Sequence, residues 1–188
     1  MAKGIVLITG GARSGKSRYA EERASALGTR LVYLATAQAG DQEMARRIAE
    51  HQKRRGSNWT TVEEPFEVGV VLSGYRGKVD CAVLDCLTLW LSNLLIQRGQ
   101  EETQKKVEDL IERIPKLDFH LLVVTNEVGW GIVPDNPLAR QFRDLAGWVN
   151  QRVASIADEV LLMVAGNPMV VKKAAKGKTE TECYYKRP

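Results

Sequence analysis

The residues best suited to chemistry form one short glycine-rich segment near the start of the chain. It reads Gly10-Gly11-Ala12-Arg13-Ser14-Gly15-Lys16-Ser17 and matches the pattern Gly-x-x-x-x-Gly-Lys-Ser in full. Glycines let the backbone curl so that successive N–H groups point inward at phosphate oxygens. The Lys16 ammonium suits the β- and γ-phosphates of a nucleotide, and the Ser17 hydroxyl suits a Mg²⁺ ion. The segment therefore predicts a phosphate-binding loop for a nucleoside triphosphate.

The elements on either side of this segment support the same prediction. The β-branched apolar run Gly4–Thr9 predicts a buried parallel strand before the loop. Lys16–Leu27 has the composition of a helix, which Gly28 ends. The start of that helix would add the positive end of its dipole to the phosphate site. A glycine-rich turn without a ligand is the weaker alternative.

A magnesium ion at this loop needs a second protein oxygen, usually a carboxylate at the end of a neighbouring strand. Asp85 directly follows the apolar run Cys81-Ala82-Val83-Leu84 and is the best candidate. The alternative role for Asp85 is to cap the helix that begins at Leu87, and the two roles are compatible. We therefore expect Ser17 and Asp85 to hold Mg²⁺.

The rest of the chain alternates predicted strands with predicted helices. Further strands are expected at Leu31–Ala35, Thr60–Val62, Cys81–Asp85, Phe119–Thr125 and Glu159–Val164. Further helices are expected at Asp41–Arg55, Pro65–Leu72, Leu87–Gln97, Glu101–Ile114 and Pro137–Ala157. This alternation predicts an α/β protein with a mostly parallel sheet and helices on both faces. We expect one nucleotide-binding domain over residues 1–171, followed by a C-terminal tail, 172–188, without periodicity.

The composition is that of an ordinary globular protein. The chain has 188 residues, of which 44% are hydrophobic and 27% charged. No apolar stretch is long enough for a membrane span and no signal peptide is visible, so membrane insertion is not expected. The cysteines Cys81, Cys86 and Cys183 show no metal-type spacing, and a reducing cytoplasm is their simplest setting. A net charge of +4 does not decide between nucleic acid and a triphosphate as the acidic partner.

A second candidate for chemistry is His51, which lies among five cations on the predicted helix Asp41–Arg55. A neutral imidazole nitrogen can attack phosphorus and form a phosphoramidate. Nearby cations lower the pKa of a histidine, which keeps it neutral, and they would also neutralise a leaving pyrophosphate. This arrangement suits nucleotidyl transfer, but a solvated basic helix explains the residues equally well. The other histidine, His120, precedes an apolar strand and is expected to be structural.

Four blocks of the sequence resemble the bifunctional adenosylcobinamide kinase / adenosylcobinamide-phosphate guanylyltransferase family of cobalamin synthesis. The blocks are Ile8–Ser17; Tyr33–Ala37 with Arg47, Ile48, His51, Arg55 and Trp59; Asp85–Thr88 with Asn93–Leu95; and Thr125–Pro134, continuing to Arg140–Asp144 and Asn150–Gln151. The last block is the most specific to the family, and the resemblance runs from about Ile5 to Val164. One departure is Gly56, where the family often has proline after the arginine pair.

The resemblance implies two successive reactions. ATP or GTP phosphorylates the hydroxyl of adenosylcobinamide, and GMP then passes from GTP through His51 to adenosylcobinamide phosphate, which gives adenosylcobinamide-GDP. The resemblance also implies a three-layer αβα P-loop NTPase fold with a RecA-like sheet, and a homotrimer. Nucleotide contacts are expected from the phosphate loop and from Thr36, Ala37, Gln38, Gln52, Lys53, Arg54, Arg55, Glu63 and Asp85, with His51 and Lys16 as the catalytic residues.

Two other functions stay open on the residues alone. One is a plain small-molecule kinase that uses only the γ-phosphate. The other is a RecA-like ATPase that binds a phosphodiester backbone through the basic stripe Arg46–Arg55. The chain lacks the interleaved aromatic and basic residues typical of a single-strand platform, so no nucleic-acid partner is expected.

The loop after the predicted strand Phe119–Thr125 holds two further candidates. Glu127 is placed to orient a substrate or water, although a hydrogen bond that fixes the loop is favoured. The four tryptophans, Trp59, Trp90, Trp130 and Trp148, are expected to pack in the structure. Trp130 is the best exception, because its glycine-rich surroundings would suit a surface for the corrinoid.

Overall fold

A computed structural model of the chain describes residues 3–38 and 55–173. Within these residues the strands are β1 Ile5–Gly10, β2 Leu31–Ala35, β3 Trp59–Glu63, β4 Cys81–Asp85, β5 His120–Val124, β6 Glu159–Val164 and β7 Asn167–Lys172. The helices are α1 Lys16–Ser25, α2 Val68–Gly74, α3 Leu87–Arg113 and α4 Pro137–Ile156, with a short 3-10 turn at Ile114–Lys116.

The strands form one sheet in the order β3-β2-β4-β5-β1-β6-β7. The first six strands of this order are parallel to their neighbours, and only β7 runs antiparallel, against β6. All six parallel strands therefore end at the same side of the sheet, which is called here the carboxyl edge. In open α/β sheets, ligands bind in the crevice outside this edge.

Both faces of the sheet are buried, because successive residues of a strand point to opposite faces. Leu7 packs in a core shared with α2, α3 and α4, whereas its neighbour Ile8 packs in a core shared with α1. Both side chains are almost fully buried. This arrangement explains why the strands are continuous apolar runs, and it confirms the predicted mostly parallel sheet with helices on both faces.

Most of the predicted elements appear close to their predicted bounds. β2, β4 and β6 have the bounds that the sequence predicted. The two helices predicted on either side of Gly99 form α3, and Gly99 interrupts its helical conformation with a φ of 81°. The prediction of a break at this glycine is therefore confirmed. The predicted helix Asp41–Arg55 lies outside the described residues except for Arg55.

The predicted start of the helix at Pro65 is wrong. Helix α2 begins at Val68, and Pro65 lies in the turn before it. The side chain of Glu64 accepts hydrogen bonds from the backbone N–H of Phe66 at 2.8 Å and of Glu67 at 2.9 Å. This turn satisfies N–H groups that a helix from Pro65 would have left unpaired, so the helix begins later.

Strand β7 was not predicted. Its side chains are all exposed, and Pro168 lies near its start, so it shows neither the alternation nor the continuous apolar run by which strands are recognised. It pairs with β6 through the two-residue turn Ala165–Gly166, and both turn residues have positive φ angles, 48° and 84°. Gly166, followed by Asn167 and Pro168, was the available turn signal for this hairpin.

Hydrogen bonds to side chains stabilise the amino ends of the strands, opposite the carboxyl edge. Asp80, before β4, accepts from the N–H of Arg30 at 2.9 Å and from the Arg30 guanidinium. These hydrogen bonds from Arg30 hold the pKa of Asp80 well below its usual range. Asp158 accepts from the first N–H of β1 at 2.8 Å, and His120 Nδ1 accepts from the Gly4 N–H at 3.1 Å. Partial burial lowers the pKa of His120, and its structural role is confirmed.

Candidate nucleotide site

The glycine-rich loop follows β1 at the carboxyl edge and leads directly into α1. Gly10 has a φ of 142°, and a Cβ atom there would lie 2.5 Å from the carbonyl oxygen of Met163. Gly15, with a φ of 95°, is the last residue before the helix, which begins at Lys16. Both glycines are therefore required by the backbone, as the motif predicts. The N–H groups of the first helical turn face the loop, where an anion is favoured.

The turn of the β6–β7 hairpin supports this loop from one side. The Gly166 N–H donates a hydrogen bond of 3.0 Å to the Ser14 carbonyl. A Cβ atom on Gly15 would lie 3.3 Å from the Cα of Gly166, so the two backbones are in close contact. The hairpin that sequence reasoning missed is thus part of the frame of the phosphate loop.

Lys16 is buried and folds back over the loop. Its Nζ donates to the carbonyl oxygens of Gly10 at 2.9 Å and Gly11 at 2.6 Å, and lies 3.4 Å from Ser14 Oγ. Burial lowers the pKa of Lys16 below its ordinary value, and the charges of Cys86 and Asp85 oppose that effect. The ammonium therefore lies within electrostatic range of Asp85, the carboxylate that the sequence predicts as a magnesium ligand.

Asp85 lies at the carboxyl end of β4, between β2 and β5 in the sheet. Its carboxylate accepts a hydrogen bond from the Tyr33 hydroxyl. Burial and the charge of Asp85 raise the pKa of Tyr33, so that the hydroxyl keeps its proton and donates. The cap position of α3 belongs to Cys86, without a side-chain hydrogen bond. Asp85 is therefore not the helix cap considered as its alternative role.

Thr36 fixes the backbone beside Asp85. Its side chain is fully buried, and its Oγ1 donates to the Cys86 carbonyl at 2.8 Å and accepts from the Cys86 N–H at 3.0 Å. The Thr36 carbonyl in turn accepts from Asn93 Nδ2 at 2.8 Å. This threonine therefore has a supporting role that the sequence did not predict.

The other predicted contacts near β2 and β3 lie at the same edge of the sheet. Ala37 is half-buried, and Gln38 is exposed and accepts from Gln97 at 2.9 Å. Glu63 ends β3 and is exposed. The contacts of Thr36, Ala37, Gln38 and Glu63 with a nucleotide stay predictions.

Arg55 is the last residue of the predicted basic helix and the only one of that helix that is described. Its guanidinium carbon lies 3.7 Å from the centroid of the Tyr33 ring, and its Nη1 lies 3.4 Å from Glu21 Oε1 on α1. The side chain is almost fully buried, with 4% exposed, and its Nε has no hydrogen-bond partner among residues 3–38 and 55–173. Of the remaining predicted residues, those outside the described part of the chain are His51, Gln52, Lys53 and Arg54.

The loop after β5 begins beside the phosphate loop. The Glu127 N–H donates to the Gly10 carbonyl at 3.1 Å, and Glu127 Oε1 accepts from the Gly129 N–H at 2.9 Å. The favoured loop-fixing role of Glu127 is thereby confirmed. Asn126 Nδ2 donates to Thr88 Oγ1 at 2.7 Å, at the start of α3.

The described residues include no cluster of three or more metal-ligating side chains. Cys81 and Cys86 are buried free thiols, and burial raises the pKa of Cys86 to about 11. Over residues 3–38 and 55–173, no helix combines the length and apolar character needed to cross a membrane.

A parallel sheet with a phosphate loop after β1 and a carboxylate at the end of a nearby strand defines a P-loop NTPase of the RecA-like class. Solved structures agree. A RadB recombinase aligns with a TM-score of 0.51 at 14% identity, over 85% of this chain and 73% of that one. A prototypical ATPase of a bacterial type III secretion system aligns with a TM-score of 0.53 at 12% identity, over 85% of this chain and 50% of that one. These likenesses confirm the predicted fold.

The sequence places the chain more narrowly. Residues 6–171 match the family described as cobinamide kinase / cobinamide phosphate guanyltransferase, and the chain belongs to this family. The bifunctional adenosylcobalamin biosynthesis protein CobP of Pseudomonas aeruginosa is 46% identical over 166 residues, which cover 88% of this chain and 96% of the relative. The corresponding protein CobU of Salmonella typhimurium is 40% identical over 183 residues, 89% of this chain and 99% of the relative. The predicted family and its two enzyme activities are confirmed.

Proposed function

We propose that both reactions use the phosphate loop between β1 and α1, with His51 as the residue that carries GMP. In the first reaction, ATP or GTP phosphorylates the hydroxyl of adenosylcobinamide. In the second, GMP passes from GTP to adenosylcobinamide phosphate and gives adenosylcobinamide-GDP. The observation that carries the proposal is the loop itself, whose required glycines and buried Lys16 face the carboxyl edge in a member of this family.

In the kinase step the loop holds the triphosphate. Lys16 Nζ exchanges its two carbonyl partners for oxygens of the β- and γ-phosphates. The substrate hydroxyl attacks the γ-phosphorus in line and loses its proton to solvent, and the bond between that phosphorus and the nucleoside diphosphate breaks. The loop N–H groups and Lys16 stabilise the negative charge that spreads over the phosphate oxygens.

The side chains beside the loop fit a magnesium ion. Ser17 and Asp85 supply a hydroxyl and a carboxylate oxygen, which are the hard ligands that Mg²⁺ prefers. A site with only these two protein ligands suits Mg²⁺, because this ion usually takes its other ligands from water and phosphates. When bound, the ion neutralises charge on the β- and γ-phosphates. Tyr33 holds Asp85 in place through its hydroxyl.

In the transferase step a neutral nitrogen of His51 attacks the α-phosphorus of GTP. The new N–P bond forms as the bond to pyrophosphate breaks, so the histidine carries GMP. A phosphate oxygen of adenosylcobinamide phosphate then attacks the same phosphorus, and the N–P bond breaks. Arg54 and the other cations of the segment would stabilise the departing pyrophosphate.

The position of Arg55 supports the part given to His51. Arg55 packs against α1 and Tyr33, and the Tyr33 hydroxyl reaches Asp85. Four residues of chain span at most about 14 Å, at roughly 3.5 Å per residue. His51 precedes Arg55 by only four positions in the sequence, so we propose that it acts on the nucleotide from this side. Arg55 itself is held by Tyr33 and Glu21, so we assign its main role to anchoring this segment and leave phosphate contact to its neighbours.

The experiment that tests the proposal is the intact mass of the protein after incubation with GTP and Mg²⁺. We expect a gain of one GMP that is lost in acid. His51→Ala should abolish this gain and still phosphorylate adenosylcobinamide. His120→Asn is the matched control, because His120 lies at the opposite edge of the sheet and asparagine keeps an acceptor for the Gly4 N–H.

Two outcomes would contradict the proposal. GMP labelling that survives His51→Ala would exclude this histidine as the nucleophile. A wild-type enzyme that phosphorylates the corrinoid but never carries GMP would be a plain kinase. We also propose a homotrimer in the cytoplasm, which the native mass of the purified protein and cell fractionation would test.

A further inference from the structure

The loop between β5 and α4 exposes a run of large apolar side chains. Trp130 is 78% exposed, Ile132 96% and Val133 57%. Three such residues within four positions are unusual for a surface loop, where single exposed apolar residues are the norm. This stretch, residues 130–133, is called here the apolar tip.

An apolar groove involves residues a few positions further along the chain. It lies between α3 and the start of α4 and has a volume of about 210 Å³. Its apolar lining comes from Leu95, Ile96, Leu138 and Phe142. Ile96 and Leu138 are themselves 68% and 48% exposed. The tip and the α4 residues of the groove therefore belong to one stretch of chain, which begins beside the phosphate loop at Glu127.

Hydrogen bonds between described residues fix both ends of this loop. At its start, Glu127 donates to the carbonyl of Gly10 in the phosphate loop. At its end, Asn136 caps α4 by accepting from the Leu138 N–H at 2.8 Å, and Arg140 donates to the Pro134 carbonyl at 2.8 Å. The two ends of the loop are therefore anchored, one of them against the phosphate loop, while the apolar side chains of the tip are exposed.

We propose that the apolar tip and the groove bind the corrin ring of the cobinamide substrate. This inference rests on the proposed function, in which one substrate hydroxyl must reach the γ-phosphate. A corrin is a broad macrocycle whose rim carries many methyl groups as well as amide side chains, and its reacting hydroxyl lies at the end of a flexible side chain. The ring must therefore dock within one side chain's length of the phosphate loop.

The chemistry of this surface fits a macrocycle of that kind. The indole of Trp130 and the branched side chain of Ile132 offer flat and aliphatic contacts to a ring face, and the groove has room for the methyl groups at a ring edge. The hydrogen bond between Glu127 and Gly10 places the base of the loop directly against the phosphate loop. The second group of exposed apolar residues, on β7, includes Val171 at the end of that strand remote from the phosphate loop.

The test compares the double variant Trp130→Ala/Ile132→Ser with the control Val171→Ser, whose side chain is 64% exposed. We expect the KM of the kinase reaction for cobinamide, and its Kd by calorimetry, to rise by about 10-fold or more in the double variant. The KM for ATP and the GMP labelling of the enzyme should stay within about two-fold, since uniform loss of substrate binding raises KM alone. The control should match the wild type in all four measurements.

The possible outcomes separate the explanations. A cobinamide KM and Kd that do not change in the double variant overturn the proposal. A change in the native mass of the double variant, with cobinamide binding intact, overturns it in favour of a contact between copies of the chain. A wild-type enzyme that neither binds nor phosphorylates cobinamide overturns the proposed function itself, and the docking surface with it.

Discussion

The guanidinium of Arg55 stacks on the ring of Tyr33, with 3.7 Å between its central carbon and the ring centroid. The hydroxyl of the same tyrosine donates to Asp85. One side chain on β2 therefore connects the end of the histidine-bearing segment to the carboxylate of the nucleotide site. A displacement of Arg55 would therefore be transmitted to Asp85 through Tyr33.

Replacement of Arg55 tests this connection. Arg55→Ala removes a buried cation–π contact and an ion pair with Glu21, so we expect the free energy of unfolding to fall by about 1–3 kcal/mol. Urea unfolding measures this loss. The control is Lys105→Ala, which removes an exposed pair with Glu101 on α3 and should cost at most about 0.5 kcal/mol. Equal losses in the two variants would show that the stack contributes nothing.

Two glycines of the phosphate loop provide a matched pair. A Cβ atom on Gly10 would lie 2.5 Å from the Met163 carbonyl, whereas one on Gly11 would meet nothing within 4 Å. We expect Gly10→Ala to lower the free energy of unfolding by roughly 2–3 kcal/mol and to weaken ATP binding. Gly11→Ala should stay within about 0.5 kcal/mol of the wild type in urea unfolding. Similar stability in both variants would contradict the close contact between β1 and β6.

Thr36 allows a test of the backbone beside Asp85. Thr36→Val keeps the shape of the side chain but removes two hydrogen bonds to the buried backbone of Cys86. We expect a loss of about 1–3 kcal/mol in the free energy of unfolding and a slower kinase reaction. Thr36→Ser keeps the hydroxyl and should recover most of the kinase rate. A valine variant with wild-type activity would mean that this support is unnecessary for the site.

Because the pKa of Asp80 is lowered in the folded protein, we expect the stability of the protein to depend on pH. Hydrogen bonds from Arg30 hold the pKa of Asp80 below the usual value, so the unfolded chain takes up a proton at a higher pH than the folded protein. The stabilising contribution is therefore present above the usual carboxyl pKa and is lost as the pH falls through the lowered one. Urea unfolding at several pH values should show Asp80→Asn less stable than the wild type at pH 7, with a difference that shrinks in acid. A difference that stays constant down to pH 2 would contradict this assignment.

The phosphate loop and the strand bounds could be predicted because they depend on local pattern. Gly10 and Gly15 mark their backbone conformations directly, and the runs Leu31–Ala35 and Cys81–Asp85 are apolar enough to require burial on both faces. The interruption of α3 at Gly99 followed from one residue in the same way. Such features can be predicted without knowing which other parts of the chain the strand, loop or helix packs against.

Contacts between distant residues could not be predicted in this way. Residues 33, 55 and 85 meet because β2 lies between β3 and β4, an order that no local pattern specifies. The sequence showed that Arg55 is cationic, but not that it would be buried against a tyrosine. Strand β7 was not predicted, because it is an edge strand whose side chains are all exposed. Its sequence therefore shows no alternation between buried and exposed residues. The side chain of Glu64 stabilises a turn that competes with helix formation. Helix α2 therefore begins three residues later than the sequence predicted.

Hydrogen bonds to the side chains of Asp80, Asp158 and His120 lie at the amino ends of the strands. This side of the sheet is opposite the phosphate loop. Part of the stability of the sheet therefore comes from the ends of the strands that take no part in turnover. An engineer seeking a hardier catalyst for corrinoid production can redesign the loops at the amino ends, or graft tags and immobilisation handles there, without disturbing the catalytic face.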